Sequence, residues 1–257
     1  MLFDHGADAV TAFLLALQCM KILNLSYDMQ LFAIYIFIMN TYFCAMWSQY
    51  CVGYFRLGVI NPVDEGLPTY ATLCIVATQL DLSVINEFHI LGTYGEEVVY
   101  LLLVLLIPVD YSLCIDIFKK STKPMSEILF MLLLYIAAGV CCLAVYSKTG
   151  TMTSDVFYPF YYCLAFMWSQ NMILIQLQFV VGQIYQVFNL ATNLLIASVA
   201  IFYFLGDYLP ITASQYFIMW AVIQAIVLLE FVTSSFYEIA VMLNIYIFSI
   251  KKRVKSV

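Results

Sequence analysis

Two carboxylates, Asp4 and Asp8, stand four residues apart at the start of an apolar stretch. In an α-helix, with 3.6 residues per turn, they lie on one face. Mg²⁺ prefers oxygen ligands, usually one or two carboxylates together with substrate phosphates, so the pair is a candidate metal site at a membrane helix end. The alternative is that one aspartate caps the helix and interacts favourably with the positive end of its dipole. Spacing alone favours capping, because Asp is a preferred cap residue.

The elements that must position these carboxylates are membrane helices. Of the 257 residues, 65% are hydrophobic and only 10% are charged, and the mean hydropathy is +0.96. This composition excludes an ordinary soluble domain and indicates an integral membrane protein. The amino terminus has neither a positively charged segment nor a small-residue cleavage site, so we do not expect a signal peptide.

Hydropathy predicts an all-α, polytopic helical bundle with about eight transmembrane helices in a single domain, 1–257, each span being near the ~20 residues that a bilayer requires. We place the spans at about 8–26, 30–48, 67–86, 97–118, 126–147, 157–179, 186–205 and 215–237. The connections are short and contain turn residues, at 61–62, 92–95, 123–124, 148–150 and 206–210.

The positive charges predict an orientation for this bundle. Threading the spans alternately places eight of the ten Lys and Arg residues on one side, including Lys119, Lys120 and Lys123. Only Lys148 falls in an opposite connection, and Lys21 falls within a span. The positive-inside rule identifies the charged side as cytosolic. The start of the first helix, with both of its aspartates, is predicted on that same side.

Other classes of site are not expected. The eight cysteines lie mostly in apolar runs, none of them forms a C-x-x-C pair, and there are only two histidines. A zinc site or a disulfide framework is therefore not predicted. The sequence has no basic patch of the kind that binds nucleic acid.

Several polar residues fall inside predicted spans or at their ends. They are Asp110, Glu230, Gln176, Gln178 and Gln183. Ionisable groups in lipid usually face a cavity or a partner, and amide side chains often join helices. We favour hydrogen bonding between helices over an active role for these residues.

Three landmarks, in the same order along the chain, resemble the CDP-alcohol phosphotransferase family. Residues 3–8 (FDHGAD) resemble the end of its signature, D-x2-D-G-x2-A-R-x8-G-x3-D-x3-D, in the FDHGCD form of choline- and ethanolaminephosphotransferases. Residues 47–50 (WSQY) and 57–67 (LGVINPVDEGL) resemble the family's W-E-x-Y and L-x-x-x-N-G-P-x-E-G-L segments. Residues 231–246 (FVTSSFYEIAVMLNIY) resemble F-A-x-x-V-I-H-E-I followed by L-G-I-Y.

The resemblance implies an enzyme of phospholipid biosynthesis. Such an enzyme transfers phosphoethanolamine or phosphocholine from CDP-ethanolamine or CDP-choline to diacylglycerol and releases CMP. Asp4 matches the third aspartate of the signature, which implies a ligand for Mg²⁺ or Mn²⁺. Asp8 matches the last aspartate, which implies the general base that removes the proton from the diacylglycerol hydroxyl, and a metal ligand as well.

Three further residues are candidates for substrate binding. Asn61 and Glu65 lie in the second landmark, where they can meet the alcohol head group or the nucleotide. The alternative is an ordinary polar turn before a helix, with its acids at the favoured N-terminus. Glu238 lies in the third landmark, and we weigh a substrate-path role equally against a hydrogen-bonding anchor at a helix end.

The chain also departs from the family pattern. Aligning Asp4 with the third aspartate puts the second glycine of the signature immediately before Met1, so the first two aspartates and the helix that carries them are missing. We therefore expect an N-terminally truncated member, and we expect residues 1–257 alone to catalyse no detectable transfer. The segment 61–65 has one residue more than the family pattern, and Tyr237 stands where many relatives have His. Both departures bear on substrate contacts.

Two alternative functions stay open at this point. One is a catalytically inactive family member with a structural or regulatory role, and the other is a polytopic transporter whose intramembrane acids line a path. Broken helices in two matching halves would favour transport, and the sequence has none. The relatives imply an endoplasmic reticulum or Golgi membrane and a homodimer, whereas the sequence does not choose between choline and ethanolamine.

Overall fold

The computed structural model describes residues 2–54, 68, 71–72, 74–75, 79, 94–242, 245–246 and 249–252. Its α-helices are α1 (Leu2–Ile22), α2 (Tyr27–Ala33), α3 (Asn40–Val52), α4 (Tyr94–Lys120), α5 (Met125–Thr149), α6 (Ser154–Val181), α7 (Leu190–Leu205) and α8 (Ala213–Met242). A π-helix (Ile34–Met39) joins α2 to α3, and a 3-10 turn (Gly206–Tyr208) follows α7. Two short antiparallel strands, β1 (Ile245–Tyr246) and β2 (Ser249–Lys252), follow α8.

The predicted all-α membrane bundle is confirmed. Within the described ranges, five helices are long and apolar enough to cross a membrane: Gly95–Lys120, Met125–Thr149, Ser154–Val181, Leu190–Tyr208 and Ala213–Val241. They coincide with the fourth to eighth predicted spans, while α1 overlaps the first and the α2–α3 segment overlaps the second. The third predicted span, 67–86, lies mostly outside the described residues. The chain is therefore a multi-pass helical membrane protein.

Local sequence accounts for several helix ends. The N-cap of α7 is Asn189, whose side chain accepts a hydrogen bond from Thr192 N (3.2 Å). Helices α5 and α6 end at Gly150 and Gly182, whose φ angles of 74° and 73° lie in the left-handed region that favours glycine. The predicted turn at 148–150 is thus confirmed.

The predicted turn at 92–95 is wrong in one respect, because Gly95 lies in the first turn of α4. A Cβ atom on Gly95 would lie 2.1 Å from Leu23 O, at the end of α1. This glycine therefore permits close approach of two helix ends rather than a change of chain direction.

Hydrogen bonds between connections define one end of the bundle. Cys51 O, at the end of α3, accepts a bond from Thr122 N (2.9 Å), in the α4–α5 connection. Tyr50 OH accepts a bond from Tyr185 N (2.9 Å), in the α6–α7 connection. The end of α3 and these two connections therefore lie together, and we name this region the Lys123 end.

The remaining described connections lie together at the opposite end of the bundle. Met152 N, between α5 and α6, donates to Asp28 Oδ1 (2.8 Å), near the start of α2. Lys148, at the end of α5, forms an ion pair with Asp207, between α7 and α8. We name this region the Lys148 end. Consecutive helices from α4 to α8 consequently run in alternating directions, as the threading of the sequence predicts.

Helix α6 is the centre of the bundle. It packs against α1, α3, α7 and α8. In its most apolar stretch 67% of the residues are buried, compared with 17% in that of α4. The ring of Phe43 on α3 lies 5.8 Å from that of Trp168 on α6 and 5.7 Å from that of Trp47. Val104 and Ile107 on α4 are exposed, as expected of a helix that faces lipid.

Candidate functional site

Both candidate carboxylates lie on α1. The helix begins at Leu2, so Asp4 and Asp8 fall in its first two turns and are separated by about one turn. The side chain of Asp8 is exposed, whereas that of Asp4 lies outside the described part of the chain. The predicted helical spacing is confirmed, and convergence of the two carboxylate groups on one ion stays a prediction.

Helix α1 runs antiparallel to α6. Tyr161 OH on α6 donates a hydrogen bond to Phe13 O, and the two rings lie 5.7 Å apart. Further along α1, Lys21 Nζ lies 5.0 Å from the centre of the Tyr158 ring. Residue numbers rise along α1 as they fall along α6, so the start of α1, which carries Asp8, points toward the Lys123 end.

The structure gives a position to one of the three substrate-binding candidates. Gln224 Nε2 donates to Ala191 O (2.9 Å), which fixes the middle of α8 beside the start of α7. Glu238 is exposed and stands fourteen residues further along α8, about 21 Å at 1.5 Å per residue. Asn61 and Glu65 lie outside the described residues. Asp8 and Glu238 therefore lie on two helices that both pack against α6, and convergence of their side chains stays a prediction.

Buried amide side chains occupy the α3–α6 contact. Gln176 Nε2 donates to Gln49 Oε1 and lies 2.8 Å from Met46 Sδ. The Oε1 atoms of Gln170, Gln176 and Gln178 are buried and have no hydrogen-bond partner in the described part of the chain. Three amide oxygens of α6 that can still accept hydrogen bonds therefore lie in the half of the helix that leads to the Lys123 end.

Asn171 joins α6 to α7 and to the connection between them. It is 0% exposed, and its Oδ1 accepts bonds from Tyr185 OH and from Asn189 Nδ2 (2.6 Å). Its Nδ2 donates to Thr192 Oγ1 (3.1 Å) and to Met167 O (2.8 Å). Both ends of this buried amide are therefore satisfied, as a low-dielectric interior requires.

Tyr50 ties three parts of the chain together at the Lys123 end. Besides the bond that it accepts from Tyr185 N, its hydroxyl lies 3.2 Å from Gln183 O and 3.4 Å from Glu127 Oε2. The ammonium group of Lys123 lies 4.6 Å from the centre of its ring. Tyr50 belongs to the WSQY landmark, so this landmark is a structural junction in the present chain.

We name Gln49, Tyr50, Asn171, Gln176 and Tyr185 the polar cluster. Burial raises the pKa of the Tyr185 phenol well above its usual value, so this group stays a neutral hydrogen-bond donor. Amides and neutral phenols donate and accept hydrogen bonds, but they do not remove a proton from an alcohol. The cluster can therefore position a polar group, and a general base must come from a carboxylate.

The residue types at the start of α1 suit a hard cation, and binding of a cation there stays a prediction. Among the described residues, no group of three or more His, Cys, Asp and Glu side chains converges on a common point. Mg²⁺ needs fewer protein ligands than that, because one or two carboxylates suffice when substrate phosphates and water complete the shell. Asp4 and Asp8 match this requirement by type and by helical spacing.

Sequence reasoning identified part of this arrangement. The predicted interhelical role of Gln176 is confirmed by its bond to Gln49. The bond that Glu230 accepts from Ser234 Oγ (3.0 Å) lies within α8, so an interhelical bond of Glu230 stays a prediction. Asn171 and Tyr185 were not predicted. The available signal was the polar run 169–171 (SQN) in the middle of an apolar helix, where three consecutive polar side chains cannot all face lipid.

The resemblance to CDP-alcohol phosphotransferases rests on the three landmarks quoted above. Their described residues lie on α1, on α3 and in the segment from α8 to β1. No protein-family model matches the chain, and no curated protein matches it.

Proposed function

We propose that this protein is a CDP-alcohol phosphotransferase of the choline/ethanolamine type. It transfers phosphoethanolamine or phosphocholine from CDP-ethanolamine or CDP-choline to diacylglycerol and releases CMP. The observation that carries the proposal is the pair Asp4 and Asp8, one turn apart at the head of a helix in a multi-pass membrane protein. The FDHGAD, WSQY and C-terminal landmarks support it.

The reaction breaks a phosphoanhydride bond and forms a phosphodiester. The diacylglycerol hydroxyl oxygen attacks the phosphorus next to the alcohol head group, and the bond from that phosphorus to the bridging oxygen breaks. The electron pair leaves with CMP, and the hydroxyl proton passes to the Asp8 carboxylate. An exposed carboxylate at a helix start suits this task, because a base must come within hydrogen-bond reach of the hydroxyl.

Asp4 and Asp8 would hold Mg²⁺ or Mn²⁺, which when bound offsets the dense negative charge of the pyrophosphate beside low-dielectric lipid. Asn61, Glu65 and Glu238 are the residues that we assign to the head group and the nucleotide. The amide oxygens of Gln170 and Gln178 are further acceptors on the neighbouring α6.

We also infer that the site opens to the cytosol from an endoplasmic reticulum or Golgi membrane. CDP-alcohols are soluble, so they reach the site from that side. Lys119 and Lys120 are exposed at the Lys123 end, toward which the start of α1 points. This agrees with the positive-inside rule.

The test is an assay of the protein, expressed with any coding sequence that precedes Met1, in a host that lacks its own choline- and ethanolaminephosphotransferases. Membranes are given radiolabelled CDP-ethanolamine or CDP-choline with diacylglycerol, with Mg²⁺ or with a chelator, and both CMP and labelled phospholipid are measured. We expect transfer that depends on Mg²⁺. Folded, membrane-inserted protein that releases no CMP would contradict the proposal.

The variant Asp8→Asn tests the base. The amide keeps the shape of the side chain but cannot accept the proton, so we expect turnover to fall by at least about 100-fold, the usual contribution of a general base. The matched control is Asp155→Asn, an exposed aspartate at the start of α6 at the Lys148 end, which should keep full activity. Near-normal turnover by Asp8→Asn would exclude the assigned role.

A further inference from the structure

A cavity of about 350 Å³ opens at the Lys148 end. Its walls come from four places: the end of α5, the start of α6, the end of α7 and the start of α8. The volume lies within the range of small-ligand sites in proteins, about 300–1,000 Å³. It is at the opposite end of the bundle from the polar cluster.

Opposite charges stand together at this cavity. Lys148, in the last turn of α5, and Asp207, between α7 and α8, both line it and form an ion pair. The Asp207 side chain is 74% exposed and that of Lys148 is 23% exposed. An ion pair this open to solvent adds little to stability, so its partners can exchange for those of a ligand at little cost.

The helix dipoles at the cavity add to the separation of positive and negative charge made by Lys148 and Asp207. Thr153 lines the cavity as the N-cap of α6, and its side chain makes no capping hydrogen bond. The positive end of the α6 dipole therefore faces the side that carries Lys148, whereas the negative end of α7 leads into Asp207. Two further acids stand nearby: Asp155, in the first turn of α6, and Asp28, which accepts the bond from Met152 N.

One part of the cavity wall is apolar, beside the polar lining formed by Lys148, Asp207 and the threonines. Val156, Phe202 and Tyr216 line it and are nearly or fully buried. Beside it, Phe204 and Tyr208 project outward and are 72% and 85% exposed. Exposed aromatic side chains at the ends of membrane helices mark the level of the lipid head groups. The cavity therefore lies where a lipid head group meets the acyl region.

We propose that this cavity binds the zwitterionic head group of a membrane phospholipid. The phosphate contacts Lys148 and the start of α6, the ammonium contacts Asp207, and the glycerol end of the lipid packs on Phe202. One cation and one anion at the same mouth match a ligand that carries both charges, and a purely anionic ligand would meet Asp207. The inference does not rest on the proposed phosphotransfer, because the two sites share no residue.

Binding is measured on the full chain, purified in detergent, by native mass spectrometry with defined lipids. The probes are phosphatidylethanolamine, phosphatidylcholine, anionic phosphatidylglycerol and uncharged diacylglycerol, together with soluble phosphoethanolamine. We expect both zwitterionic lipids to bind more tightly than phosphatidylglycerol and diacylglycerol. Tighter binding of the lipid than of soluble phosphoethanolamine identifies a phospholipid as the ligand, and equal binding identifies the free head-group compound.

Variants that each remove one charge test which side chain contacts which part of the head group. In Asp207→Asn we expect the ratio of phosphatidylethanolamine to phosphatidylglycerol binding to fall by about tenfold, the effect of losing one hydrogen bond to a charged group. Lys148→Gln should weaken both phospholipids. The control Lys119→Gln removes an exposed cation at the opposite end and should leave the ratio unchanged. Wild-type protein that does not discriminate among the four lipids, or an unchanged ratio in Asp207→Asn, would overturn the proposal.

Discussion

Asn171 illustrates how single polar side chains stabilise this bundle. Its amide is buried between helices, where bonds to Tyr185 and Thr192 replace the water that it loses. Hydrogen bonds between membrane helices are worth only about 0.6 kcal/mol each on average. Leaving a buried partner unsatisfied costs more, about 1–3 kcal/mol. Loss of this amide should therefore lower the stability of the protein mainly because it leaves its hydrogen-bond partners unpaired.

We predict that Asn171→Leu destabilises the protein by about 1–3 kcal/mol, because the buried Tyr185 hydroxyl loses its acceptor and the Asn189 amide loses one of its acceptors. In a chain of this size, this corresponds to a fall of roughly 2–4 °C in the thermal midpoint per kcal/mol. The midpoint is measured in one detergent for all variants. Asn193→Leu is the matched control, because Asn193 is exposed on α7 and bonds only to Phe188 O in the described structure. Equal midpoints for the two variants would argue against the assigned role.

At the residue scale, the sequence predicts where a residue lies on a helix better than it predicts the hydrogen-bond partners of that residue. The spacing of Asp4 and Asp8 follows from the helical repeat, so their common helix could be predicted. The partners of Asn171 could not, because they depend on how α6, α7 and their connection pack. That packing is determined by side-chain shapes across helices, which no local pattern encodes.

At the scale of elements, glycine is informative only in its packing context. Glycine is frequent in turns, which is why a connection was predicted at 92–95. In the structure, Gly95 belongs to α4 and removes a side chain from the contact with α1. Turn formation and close helix approach both require the absence of a Cβ atom, so sequence alone does not distinguish them.

We predict that Gly95→Ala separates the end of α1 from the start of α4 and costs about 1–3 kcal/mol, because the new Cβ atom would overlap a backbone carbonyl that cannot rotate away. Gly206→Ala is the control. There the new Cβ atom would lie 3.4 Å from Phe202 Cδ2, an ordinary contact, so the thermal midpoint should hardly change. Equal effects of the two substitutions would show that the α1–α4 contact is looser than the structure indicates.

At the scale of the whole molecule, hydropathy and charge give most of the architecture. Five predicted spans coincide with long apolar helices because lipid requires an uninterrupted hydrogen-bonded backbone of a fixed length. The order of helices around α6 could not be predicted. In lipid, helices associate through shape and a few polar contacts rather than through an amphipathic pattern, and α6 has no distinct polar and apolar faces.

The arrangement of cations leads to a prediction about the whole protein. Lys119, Lys120 and Lys123 cluster at the end of the bundle toward which α1 begins, whereas Lys148 lies at the other end and is neutralised by Asp207. Positive charge is retained on the cytosolic side of a membrane during insertion. We therefore predict that the Lys123 end, toward which the start of α1 with Asp8 points, faces the cytosol.

Cysteine labelling in sealed microsomes, whose cytosolic face is outward, tests this orientation. Lys119→Cys introduces a thiol at an exposed position of the Lys123 end, and Tyr208→Cys introduces one at an 85% exposed position of the Lys148 end. A membrane-impermeant maleimide should label Lys119→Cys in intact vesicles and Tyr208→Cys only after the membrane is permeabilised, once wild-type labelling is subtracted. The reverse pattern would place Asp8 on the lumenal side. A soluble cytosolic CDP-alcohol would then be unable to reach it, so the orientation and the proposed phosphotransfer would fail together.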